Sequence, residues 1–254
     1  MSLMSLQFFM QIVVVNVMQM IGPISQLNIN SKFYSGEAPH RLNRDRVALP
    51  HITIQMPVYK EGLIGVIQPT ILSLKKAIST YELQGGTANV FVNDDGMQII
   101  DEAEGQARRE FYEEHNIGWV ARPKENLKPQ SGENVFRRRG KFKKASNMNY
   151  ALMVSNRVED KLAKVERHKD WTTEEESKAY EKCLCQVIEE EEGRAWAEGN
   201  VRIGDYILLI DSDTRVPSDC LVDAASEMEQ CPNVGILQFS SGVMQVTDTF
   251  FENG

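Results

Sequence analysis

Short apolar runs alternate along the chain with segments whose apolar residues recur at helical spacing. Residues 52–56, 89–92 and 117–121 read as strands, and Tyr206 to Ile210 carries five apolar or aromatic residues without a polar break. Between the first two, Pro69 suits the first turn of a helix in which Ile71, Leu74 and Ile78 share a face, and Gln84-Gly85-Gly86 closes it. A second helix is predicted over 102–114. This β-α-β-α-β alternation from His51 onward predicts an α/β fold with a mostly parallel sheet and helices on both faces. The run 206–210, bounded by charge and Pro217, predicts a central strand buried on both faces. A helix over 217–230 and a further strand over 234–239 are expected after it.

The two remaining stretches differ in character. Residues 6–24 carry no charge, but Gln7, Gln11, Asn16 and Gln19 make them a poor hydrocarbon helix, and no basic region precedes them as in a signal peptide. A weak transmembrane helix, an interfacial helix and a core helix all fit, and membrane association is favoured. The polar connector 25–50, with Lys32, Arg41, Arg44 and Arg46, suits a cytoplasmic flank. Residues 158–200 are rich in Glu and Lys and read as a helical insertion. Thr172-x-x-Glu175 makes a capping box there, and Tyr180, Cys183, Leu184, Val187 and Ile188 form a packing stripe. The organisation expected is a membrane and juxtamembrane segment over 1–47 and a catalytic domain over 48–254.

Composition narrows the class. With 42% hydrophobic and 25% charged residues in 254 positions, the chain has ample material for a globular core. A formal net charge of -8 argues against a general nucleic-acid binder. The four cysteines, Cys183, Cys185, Cys220 and Cys231, make neither a disulfide framework nor a zinc-site spacing, and reduced thiols are expected.

The chemistry gathers where strands end. Ligands of open α/β sheets bind beyond the carboxyl ends of the strands, and Asp211 and Asp213 follow the 206–210 run. Strand residues two apart point the same way, so both carboxylates can face one site if the extended geometry persists. Two carboxylates with substrate phosphates are a typical Mg²⁺ environment; the alternative is a plain strand end with an Asx turn. The strand at 89–92 also ends in acids, Asn93-Asp94-Asp95-Gly96. Residues 137–144 hold six basic residues in eight positions, just before the small-residue helix start at 145–152, and such a start suits an anion. The run reads either as a solvated face or as a phosphate-facing loop.

Four motifs in chain order, QMPVYKEG, FVNDDG, KKASNMNYAL and ILLIDSD, together resemble a family-2 glycosyltransferase of the cellulose, chitin and hyaluronan synthase kind, in a fungal branch. They are similar to that family's nucleotide loop (with Lys60 in place of Asn), its V-D-D-G strand end, its K-A-G-N-x-N segment and its D-x-D strand. The resemblance implies a GT-A fold, a UDP-sugar donor, a divalent metal (Mg²⁺ or Mn²⁺), a carbohydrate acceptor and an inverting transfer, with the catalytic domain on the cytosolic face of a membrane. Carried onto this sequence, Pro57, Tyr59 and Glu61 would line the uridine side, and Asp94 or Asp95 would hold the nucleoside. Lys144 would neutralise the diphosphate, and Asp211 and Asp213 would hold donor and metal.

The family's acceptor-side base lies in a T/S-E-D-type motif followed by Q-x-x-R-W and transmembrane helices, and none of these occurs before Gly254. Asp248 and Glu252 do not match that setting, so the base is expected beyond Gly254 and the chain reads as a C-terminally incomplete fragment. A fragment that binds UDP-sugar without transferring it is therefore the alternative function. A dehalogenase-type phosphatase, suggested by LLIDSDT, leaves the three upstream motifs unexplained.

Overall fold

The computed structural model of the chain describes residues 3–21, 40–42, 48–128, 135–138 and 142–239. Most of the connector at 25–50, and Asp248 and Glu252, lie outside the described residues. The chain divides into two compact units, 43–222 and 1–42 with 223–254.

The larger unit is built on five strands, β1 (His51–Val58), β2 (Thr87–Asp94), β3 (Gly118–Ala121), β4 (Trp196–Glu198) and β5 (Tyr206–Leu209), in the order β4-β3-β2-β1-β5. β1, β2, β3 and β5 run parallel and β4 is antiparallel to β3. The mixed α/β architecture with a mostly parallel sheet is as expected and is consistent with a GT-A-like fold. From β1 the strand order first proceeds outward through β2 and β3, and β5 then returns to the other side of β1. The reversal leaves a crevice beyond the carboxyl ends of β1 and β5, where open α/β sheets bind ligands.

Alternation along the strands divides the core. Ile52, Ile54, Met56 and Val58 of β1, in register with Ala88, Val90, Val92 and Asp94 of β2, point to one face. Helices α2 (Gln68–Leu83) and α3 (Glu102–Glu114) carry the crossovers between β1, β2 and β3. α2 follows a π-helical turn at Leu63–Ile67, starts with Pro69 in its first turn and buries Ile71, Leu74, Ala77, Ile78 and Tyr81. α3 is capped by Asp101, whose side chain accepts from the Glu104 amide at 2.8 Å. On the other face, α4 (Lys143–Leu162) and α5 (Thr173–Glu190) pack Ala151, Val154, Val158, Leu162 and the stripe Tyr180, Cys183, Leu184 and Val187 against Phe91 and Val120.

Three expectations change in detail. The stretch 158–200 is built into the domain: its first residues belong to α4, α5 closes one face of the sheet and β4 extends it. Its capping box forms as the spacing predicts. β5 is an edge strand among the described residues, not a central one; Ile207 and Leu209 are 42% and 60% exposed. These two lie in register with Thr53 and Gln55, on the face where α4 makes its contacts with β1, β2 and β3. An apolar run alone does not distinguish a strand covered on both faces from one covered on a single face. Residues 234–239 form no strand.

In the smaller unit, α1 (Leu3–Ile21) is a 19-residue helix, and Phe9, Met10, Val13, Val14, Val17 and Met18 are exposed. No helix among the described residues is long and apolar enough to cross a membrane. Arg41 pairs with Asp223, and Gln230 Nε2 donates to the His40 carbonyl at 2.5 Å, which ties residues 40–42 to helix α6 (Cys220–Gln230).

Candidate functional site

Pro57, the penultimate residue of β1, is buried beyond the last β5 residue that pairs with β1, Leu209. The Gln55 carbonyl takes the Ile210 amide, so by alternation the nitrogen of Pro57 faces the β5 side, where its missing hydrogen costs no ladder bond. The chain then emerges at Tyr59, 48% exposed, whose amide donates to Glu61 Oε2 at 2.6 Å. Lys60 Nζ lies 5.7 Å from the Tyr59 ring centroid. Glu61 thus shapes its own loop.

The two acids at the end of β2, Asp94 as its last residue and Asp95 just after it, divide by direction. Asp94 is fully buried, and both its oxygens lie 3.0 Å from Arg108 Nη1. Tyr112 Oη and the Gly96 amide donate to it as well, at 2.9 and 3.0 Å. Burial pushes the Asp94 carboxyl above its ordinary range, against the attraction of Arg108 and the hydrogen bond from Tyr112. Burial likewise pushes the Tyr112 hydroxyl well up, with Asp94 adding to it. The neighbouring Asp95 faces a different pair of guanidinium groups. Arg122, at the end of β3, grips it in a fork, Nε to Oδ1 at 2.6 Å and Nη2 to Oδ2 at 2.8 Å. Arg138 Nη1 adds a contact at 3.1 Å and Nε donates to the Pro123 carbonyl at 3.1 Å. Burial and the adjacent Arg122 lower the Arg138 pKa, against the pull of Asp95.

Arg138 therefore does not belong to a solvated face, the alternative that the basic run left open. It is tied to Asp95 and bounds a cavity of about 520 Å³ with Arg122, Phe136, Asn149, Tyr150 and Met153. Lys144, in the first turn of α4, takes the other direction, and its Nζ lies 2.5 Å from Asp211 Oδ1. Both side chains are more than half exposed.

After β5 the extended geometry does not persist. The Thr214 amide bonds to the Asp211 carbonyl at 3.1 Å, closing a turn over 211–214, so strand alternation does not set the relative orientation of Asp211 and Asp213. Both are exposed while Ser212 between them is buried. α2 pins this turn: Thr70 Oγ1 donates to the Ser212 carbonyl at 2.7 Å, and the Val216 amide donates to Ser73 Oγ at 3.2 Å. Asp211 and Asp213 offer hard oxygen donors, which fits Mg²⁺ or Mn²⁺ held partly by substrate phosphates. Among the described residues no cluster of three or more His, Cys, Asp or Glu could hold a metal by itself.

The fold thus brings Tyr59, Glu61, Lys144, Asp211 and Asp213 to exposed or half-buried positions at the ends of β1 and β5 and the start of α4. It turns Asp94 inward and encloses Asp95 between two arginines. Sequence reasoning did not single out Arg108, Tyr112, Arg122, Thr70 or Ser73. One signal was present: Arg108 falls on the apolar face of α3 with Gly105, Phe111 and Tyr112.

No curated protein and no solved structure matches the chain. Residues 206–254, which begin at β5 and include Asp211 and Asp213, match the model of the glycosyl transferase family group 2, and this supports a family-2 glycosyltransferase.

Proposed function

We propose that the protein transfers a sugar from a UDP-sugar to a hydroxyl of a growing polysaccharide or other carbohydrate acceptor, with inversion and with a divalent metal. The observation that carries this reading is the meeting of Lys144 and Asp211 in the crevice where strand order reverses. A cation and a carboxylate, both more than half exposed, are available there to a diphosphate and its metal.

Asp211 and Asp213 would hold Mg²⁺ or Mn²⁺, which would supply positive charge to the leaving diphosphate. Lys144 stands beside Asp211 and adds a second, fixed positive charge, so the developing negative charge meets a preorganised field. The exposed Tyr59 ring offers a stacking surface for the uracil base, and Glu61 holds that loop by its bond to the Tyr59 amide. Of the two acids at the end of β2, Asp95 is assigned to the nucleoside side through the Arg122–Arg138 edge, because Asp94 is committed to Arg108 and Tyr112.

In the transfer, the acceptor oxygen bonds to the anomeric carbon as the bond to the UDP oxygen breaks. The acceptor proton passes to a carboxylate that is not among the residues assigned to the donor. In this reading α1 lies against a membrane with the catalytic unit on the cytosolic side; its lack of charge and its exposed apolar side chains support that placement. Radiolabelled-sugar transfer with a panel of UDP-sugars, in Mn²⁺ and in EDTA, tests the function. Transfer without metal dependence, or donors limited to another nucleotide, contradicts it.

A further inference from the structure

Among the described residues, Arg108 is the one fully buried charged side chain that bonds both the loop after β1 and the acid at the end of β2. It is fully buried, and a buried guanidinium is costly unless its hydrogen bonds are used. Their directions are informative. Nη2 donates to the Glu61 carbonyl at 2.6 Å and to Glu104 Oε1 at 2.9 Å. Nη1 donates to both oxygens of Asp94 and reaches the Tyr59 carbonyl at 3.4 Å. One planar fork thus ties the backbone at 59 and 61 to the acid at the end of β2.

The same two loops also meet without Arg108. The Asp95 amide donates to the Val58 carbonyl at 2.8 Å, and a Cβ on Gly96 would stand 1.4 Å from the Tyr59 carbonyl oxygen. Only glycine allows the turn after β2 to lie this close to the loop after β1. The Tyr59 carbonyl is therefore held between Gly96 and the guanidinium of Arg108.

Resting on the UDP-sugar reading above, we propose that Arg108 is the positioning residue of the donor site. It fixes the 59–61 backbone so that the Tyr59 ring faces outward, and Asp94 and Glu104 serve to aim it. The pattern of bonds separates this role from that of a simple core ion pair, which is weak evidence for stability. Both carbonyls that Arg108 uses as acceptors belong to the loop that carries Tyr59, so the bonds that satisfy its donors also fix that loop. Lysine keeps the charge opposite Asp94 but has no planar fork to span Asp94, Tyr59 and Glu61 together.

The test compares wild type, Arg108→Lys, Gly96→Ala and Val187→Ala, the last a core truncation in α5 away from these loops. Hydrogen–deuterium exchange is followed at peptides covering 58–62 and 94–96, and UDP binding with Mn²⁺ is measured by calorimetry well below each melting temperature. Arg108→Lys should speed exchange of the 58–62 peptide at least tenfold and weaken UDP at least tenfold. Val187→Ala should lower the melting temperature while leaving both within about twofold. If Arg108→Lys does not fold, Gly96→Ala, which displaces the Tyr59 carbonyl from the opposite side, should give the same two effects. Exchange in Arg108→Lys within twofold of wild type, or equal loosening by Val187→Ala, overturns the proposal. A wild type that binds no UDP overturns the donor-site reading instead, and the exchange comparison still decides whether Arg108 holds the loop.

Discussion

Lys144 and Asp211 stand 67 positions apart in sequence, yet the Lys144 ammonium lies 2.5 Å from an oxygen of Asp211. One comes from the first turn of α4 and the other from the turn after β5. The residues expected to neutralise a diphosphate and to hold its metal are thereby direct neighbours.

That pair is more than half exposed on both sides, so it adds only about 0–1 kcal/mol to stability. Lys144→Ala should leave the melting temperature within a degree or two. It should weaken UDP binding by roughly 1.5–3 kcal/mol, the usual loss for a charge-assisted contact. Calorimetry and a thermal melt on the same preparation check both halves; a large stability loss with unchanged UDP affinity contradicts the assignment.

Arg138 should behave in the opposite manner. Its removal leaves Asp95 with Arg122 alone at a site where both side chains are mostly buried. Arg138→Ala is expected to destabilise the fold by about 1.5–3 kcal/mol. Denaturant unfolding measures this, and a change below half a kcal/mol would return Arg138 to a solvated face.

Asp94→Ala removes the partner of a fully buried arginine. Leaving such a charge uncompensated costs about 3–5 kcal/mol, a large share of the stability of a domain of this size. The variant should be largely unfolded or strongly destabilised by circular dichroism. A near-native melting temperature would mean that Glu104 and the loop carbonyls suffice for Arg108.

Acid should loosen α5 first at its start. The Glu175 carboxyl is held at about 2 by the Thr172 amide, the Thr172 hydroxyl and His168. A depressed acid contributes stability that is fully present above its ordinary pKa and is lost as pH falls toward the folded value. Between about pH 4.5 and 2, therefore, the capping interaction should disappear. Melting temperatures of wild type and Glu175→Gln should differ at pH 6 and converge near pH 2; a constant difference contradicts the capping role.

How much of this was legible in the sequence depended on the range of the interaction. Helix α3 at 102–114 and the Thr172–Glu175 capping box follow from local spacing, and both form where the spacing puts them. The parallel order of β1, β2 and β3 followed from the alternation of elements. The edge position and the exposed face of β5 did not, because lateral pairing and cover on a second face both come from elements distant in the chain. The different settings of Asp94 and Asp95 were hidden for the same reason. Their partners, Arg108, Arg122 and Arg138, lie 14 to 43 residues away and arrive through tertiary packing. A charged residue on an apolar helix face was the only local sign of Arg108. Proximity of Lys144 and Asp211 was suggested only by the order of motifs.

In the proposed function, the crevice at β1 and β5 binds a nucleoside diphosphate through a metal held by Asp211 and Asp213. Titration calorimetry of UDP into wild type and Asp213→Asn, each in Mn²⁺ and in EDTA, tests it most directly. Wild type should bind tightly in Mn²⁺ and lose at least tenfold in EDTA, and Asp213→Asn in Mn²⁺ should bind no better than wild type in EDTA. Equal affinity of wild type and Asp213→Asn in Mn²⁺, or wild-type binding that ignores EDTA, would contradict it.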